Sequence, residues 1–171
     1  MENKEIVKII KSNNNSLIID TLKKIKEKGN KDLIPEIYNL LIMSNDKKIQ
    51  AIITDIFNNL KDQKSVPYLI NAINNCSDSI VKNILVSACW KNGLNYSEHY
   101  DIFIDLIINS DFELAFEAHT VIDNQSISIK LNSEIADKYI AQLKSGIKET
   151  DTHKAAIINE TINAILNQKE D

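Results

Sequence analysis

Residues Asp46–Phe57, DKKIQAIITDIF, decide the fold, because the chain says them again twice: DSIVKNILVSAC at Asp78–Cys89 and DFELAFEAHTVI at Asp111–Ile122. Each copy opens on an aspartate and places an apolar residue three positions on (Ile49, Val81, Leu114). Further apolar or small residues follow at seven, ten and eleven (Ile53, Ile56, Phe57; Leu85, Ala88, Cys89; Ala118, Val121, Ile122). That spacing lines one face of a helix. The leading aspartate suits the cap position, where a side-chain oxygen accepts a backbone N–H. A fourth, weaker copy starts at Asn15 with Ile18 and Leu22, so the starts fall at 15, 46, 78 and 111. A drifting period of this length marks a repeat architecture, in which each unit buries its apolar face against its neighbours.

Each copy has a second helical segment upstream: IPEIYNLL from Ile34, VPYLINAI from Val66, YDIFIDLI from Tyr100 and, more loosely, NKEIVKII from Asn3. Pro35 and Pro67 fall in the first turn of such a helix, where no N–H is needed. A fifth, degenerate pair is expected at 133–145 and 150–168. The expectation is an all-α chain of ten helices in five antiparallel pairs. These paired segments resemble the short HEAT-like repeat, an armadillo-like α-solenoid unit whose pattern joins a VPxL first helix to a D-x-x-V-R-x-x-A second helix. The resemblance covers residues 3–123 well. It departs at the family's arginine position, occupied here by Gln50, Lys82 and Ala115. It implies a right-handed α-α superhelix forming one domain over 1–171, with repeats at about 1–29, 30–62, 63–94, 95–123 and 124–171 and an insert at 124–132. It also implies a binding scaffold more often than an enzyme.

Composition narrows the partners. All 20 basic residues are lysines, set against 24 acidic ones for a net charge of -4. Without arginine the chain lacks the planar fork that reads phosphate and guanine, which argues against nucleic acid. No apolar run approaches a membrane span, and MENKEIVKIIK at the N-terminus lacks the core of a signal peptide. Two cysteines, Cys76 and Cys89, fit reduced thiols in a cytoplasmic protein. Cys89 takes a core place in the repeat frame, whereas Cys76 is expected in a polar turn, open to a thiol reagent.

The face turned away from the core residues reads Lys47, Ala51, Thr54, Asn58 in the second unit, Ser79, Asn83, Val86, Trp90 in the third, and Phe112, Phe116, His119, Asp123 in the fourth. The second is polar; the third and fourth are not. In HEAT-type solenoids the second helices line the concave side, so Val86, Trp90, Phe112, Phe116, His119 and Asp123 are the candidate partner-binding residues. The insert NQSISIKLN at 124–132 is the competing expectation, since Ile127, Ile129 and Leu131 are placed to fold over the aromatics as a lid. KNGLNYSEHY at 91–100 reads as a turn, with Gly93 in the left-handed position after a helix and Asn95 or Ser97 as the next cap.

Other chemistry is set aside. Cys76, Cys89, His99 and His119 match no zinc spacing, Glu113 and Glu117 read as a solvated edge, and three glycines form no phosphate loop. The expectation is a non-enzymatic scaffold that binds an unidentified protein or peptide and needs no cofactor. The alternative is a HEAT-like enzyme acting on alkylated bases in nucleic acid. A lysine-lined second-helix face favours the alternative; an aromatic or acidic one favours a protein partner.

Overall fold

The computed structural model describes residues 2–147 and 152–170. Among them run ten α-helices: α1 (Asn3–Ile10), α2 (Asn15–Lys28), α3 (Ile34–Met43), α4 (Lys47–Asn58), α5 (Val66–Asn75), α6 (Ser79–Asn92), α7 (Tyr100–Asn109), α8 (Phe112–Asp123), α9 (Ser133–Gly146) and α10 (Thr152–Gln168). The expected start of the last helix at 150 lies outside the described residues. The repeated aspartates do what their position demands. Asp46 accepts N–H bonds from Lys48 and Ile49, Asp78 from Val81 and Asp111 from Leu114. The fourth copy is capped one residue earlier than expected, by Asn14, which accepts from the Leu17 N–H at 3.1 Å. Asn15 instead reaches across to the next repeat and donates to Asp46 Oδ2 at 2.9 Å.

Helices α3, α5 and α7 are each entered through a single 3-10 turn, at Lys31–Leu33, Gln63–Ser65 and Ser97–His99. Asn30, Asp62 and Asn95 hold these turns by accepting a backbone N–H two residues on. Pro35 and Pro67 then sit in the first helical turn. Gly93 ends α6 at φ 70°, a left-handed conformation that costs glycine little.

The chain divides into two compact units, residues 1–94 and 95–171. In the first unit, α1, α3 and α5 form one layer and α2, α4 and α6 the other, each helix beside its counterpart in the next repeat. Leu22, Ile53, Phe57, Leu85 and Cys89 fill the space between the layers, all fully buried. Polar ties follow the same stacking: Lys26 pairs with Asp55 at 2.5 Å and Lys11 with Glu36 at 3.1 Å. Asn92 donates to the Phe57 carbonyl at the end of α4.

The second unit repeats the two layers, with α7 beside α9 and α8 beside α10. Ile122, the counterpart of Phe57 and Cys89, is again fully buried. Lys154, in the first turn of α10, donates to the carbonyls of Ile108 (2.6 Å) and Ser110 (2.5 Å), where a cation offsets the negative end of α7. Gly146 allows α9 to approach α7 closely: a Cβ there would lie 2.9 Å from Ile108 Cγ1.

The insert after α8 is not a lid on the phenylalanines. Gln125 is buried, its Oε1 accepting the Tyr96 N–H at 3.1 Å, and Leu131 exchanges backbone hydrogen bonds with Gln168 and Glu170 at the end of α10. Ile127 is 96% exposed. The reason is placement: the insert leaves from the last turn of α8, whereas Phe112 and Phe116 occupy its first turns, about 10–17 Å away along the axis.

Candidate functional site

Phe112 and Phe116 stand one turn apart on α8, 50% and 51% exposed, with near-parallel rings 6.4 Å apart. They belong to a longer row. His153, from the first turn of α10, meets Phe112 edge-on at 6.4 Å, and His119, one turn beyond Phe116, lies at the same centroid distance from it. Four rings from two neighbouring helices thus follow one another across the α8/α10 surface. A spacing of 4.5–7 Å is that of interacting aromatic pairs.

His119 anchors the row from below. It is buried, and its Nδ1 lies 3.0 Å from the Thr161 hydroxyl on α10. That hydroxyl also lies 2.8 Å from the Ile157 carbonyl. Donating its one proton there leaves the hydroxyl oxygen to accept from Nδ1–H, which assigns this tautomer to the neutral ring. Nε2 then faces the Glu160 carboxylate at 3.9 Å. Burial holds the imidazole below its usual pKa, opposed by the nearby carboxylates of Asp123 and Glu160. The ring is therefore neutral at pH 7, and its main work is to join α8 to α10.

The six candidate residues have different fates. Phe112, Phe116 and Asp123 are exposed on the second unit, and His119 lies beside them but buried. Val86 is fully buried in the first unit, so it forms no part of an exposed patch there. The cause is α6 itself, on which Leu85 to Cys89 are buried without a break, so that the helix is enclosed on more than one face. Trp90, also in the first unit, is partly buried, with Lys91 Nζ 5.0 Å from its ring. Cys76 is corrected as well: it is 3% exposed, and its thiol donates to the Asp78 carbonyl.

His153, Glu160 and Thr161 complete the site and were missed because the outward face was not carried on into α10, the second helix of the fifth pair. A second signal lay in the charge. Residues 1–94 hold 14 lysines against 10 carboxylates, a net +4, whereas residues 95–171 hold 6 lysines against 14, a net -8. The overall -4 hides this division. Along α8 there is no lysine, and the lysine of α10, Lys154, is committed to the end of α7.

Among the described residues no three metal-ligating side chains come together, and no helix is long and apolar enough to cross a membrane. No protein-family model matches the chain, and no curated protein matches it. A crystal structure of an engineered protein from the Northeast Structural Genomics Consortium is similar in structure, at a TM-score of 0.49 and 14% identity, over 97% of this chain and 81% of that one. The functional reading therefore comes from the site itself.

Proposed function

We propose that the chain is a HEAT-like interaction scaffold, a solenoid of five helix pairs that binds a protein or peptide along its second helices, with the ring row of α8 and α10 as the docking surface. The observation that carries this reading is the half-exposed Phe112–Phe116 stack. Two phenylalanines held partly in water on adjacent turns forgo part of their burial energy, about 1 kcal/mol each, which a partner recovers on covering them. Behind them His119 and Thr161 make the surface rigid, so that binding orders little that is not already ordered. An aromatic face bordered by carboxylates suits a protein segment better than nucleic acid, whose binding rests on neutralising phosphates.

Selection of random displayed peptides on the full chain tests the proposal, with counter-selection on the double variant Phe112→Ser/Phe116→Ser. Peptides that bind the parent chain and lose at least about 10-fold in affinity on the variant are expected, as for removal of central aromatic anchors. Selected peptides that bind both chains equally, with the helical circular dichroism of both unchanged, contradict it.

A further inference from the structure

The docking reading leaves open what chemistry the partner brings, and the surroundings of the row decide it. Aromatic faces carry a negative quadrupole and attract cations. Carboxylates stand at the His119 end of the row, Glu160 at 3.9 Å from Nε2 and Asp123 close enough to act on the same ring, and Glu113, exposed, follows Phe112 in the chain. The whole of residues 95–171 carries a net -8. An apolar segment laid over this surface strips water from the carboxylates and returns nothing, which costs free energy. A segment with positive side chains compensates them and seats its cations on the rings.

Resting on the docking reading above, we propose that the partner is a basic segment of another protein, an arginine- or lysine-bearing stretch whose positive groups lie along the ring row of α8 and α10. A second copy of this chain is the competing occupant, because residues 1–94 are net positive. Four of their lysines, Lys11, Lys23, Lys26 and Lys31, are however already paired with Glu36, Asp20, Asp55 and Asp32. A separate protein is therefore the better match.

The test uses a short fluorescent peptide of alternating arginine and leucine, its twin with glutamate for arginine, and the full chain, read by anisotropy. The arginine peptide is expected to bind, more weakly at high salt, and the glutamate twin is not. Phe116→Leu, which keeps apolar bulk but removes the ring face, should weaken binding about 3-fold. Asp123→Asn/Glu160→Gln should weaken it about 5-fold. Asp101→Asn/Asp105→Asn removes the same charge from α7 and should change it less than about 2-fold. Equal losses from the two charge variants overturn the proposal, since net charge alone then attracts the peptide. Binding of the glutamate twin as tightly as the arginine peptide overturns the cationic partner while leaving the docking surface standing. Failure of both peptides overturns it too, and whether docking falls with it is then decided by the displayed-peptide selection. Concentration-dependent self-association abolished by Phe116→Leu assigns the row to a second copy and overturns the separate partner.

Discussion

Replacing the capping aspartates one at a time should produce losses graded by what each holds. Asp78 accepts one backbone N–H, from Val81 at 2.9 Å. Asp78→Ala removes an N-cap, a loss of about 1 kcal/mol. Asp46 accepts two, from Lys48 at 2.9 Å and Ile49 at 3.3 Å, and also takes the Asn15 amide from the preceding repeat at 2.9 Å. Asp46→Ala therefore loses a cap and an inter-repeat hydrogen bond, about 1.5–2 kcal/mol together. The asparagine variants keep an acceptor at the cap and give up chiefly the charge at the helix N-terminus, about 0.3–0.5 kcal/mol. Trp90 is the chain's sole tryptophan and lies in the same unit as both caps, so its fluorescence during urea unfolding reads them directly. With a denaturant slope of about 1–1.5 kcal/mol/M, the midpoint should fall about 0.7–1 M for Asp78→Ala and roughly 1–2 M for Asp46→Ala. A loss for Asp46→Ala no greater than for Asp78→Ala, or an asparagine variant as unstable as its alanine counterpart, would refute the account of the repeat starts.

Other consequences follow from the second unit and the thiols. Because His119 titrates below its unfolded pKa, the unfolded chain binds more protons as pH falls from about 6.5 towards the folded value. His119 should thus reduce stability across that window, and the parent chain should lose more on acidification than His119→Asn; parallel urea midpoints for the two contradict this. Thr161→Val leaves Nδ1–H of a buried ring unpaired and should cost about 1–2 kcal/mol in thermal unfolding, whereas a neutral effect would discount the α8–α10 tie. Gly146→Ala should destabilise despite alanine's helix preference of about 1 kcal/mol, since its Cβ meets Ile108, and Ile108→Val should recover part of the loss; a stabilised variant contradicts the close approach. Neither Cys76 nor Cys89 should react with a thiol reagent before unfolding, and rapid labelling of either counts against its buried place.

What the sequence revealed and what it concealed divide along the range of the interactions. Helix starts were legible because Asp46, Asp78 and Asp111 bond within three residues of themselves, and the core positions followed from spacing alone. The burial of Val86 was not, since the outward face of a helix is polar only if nothing covers it, and α6 is apolar on several sides. His119 finds its partner 42 residues away in Thr161, beyond any local pattern. Cys76 could have been found: Val66, Leu69, Ile73 and Cys76 continue one helical stripe through the end of α5, and all are buried. The charge division at residue 94 was also open to inspection, but a single net value averages it away.

Whether the ring row is the working surface can be read directly from one titration. A peptide recovered by display selection, titrated into the uniformly labelled full chain, locates its own site through changes in the amide resonances. These changes should concentrate at Phe112, Phe116 and His119 on α8 and at His153 and Glu160 on α10. Changes confined to residues 1–94, with those five amides unmoved at saturation, would contradict this.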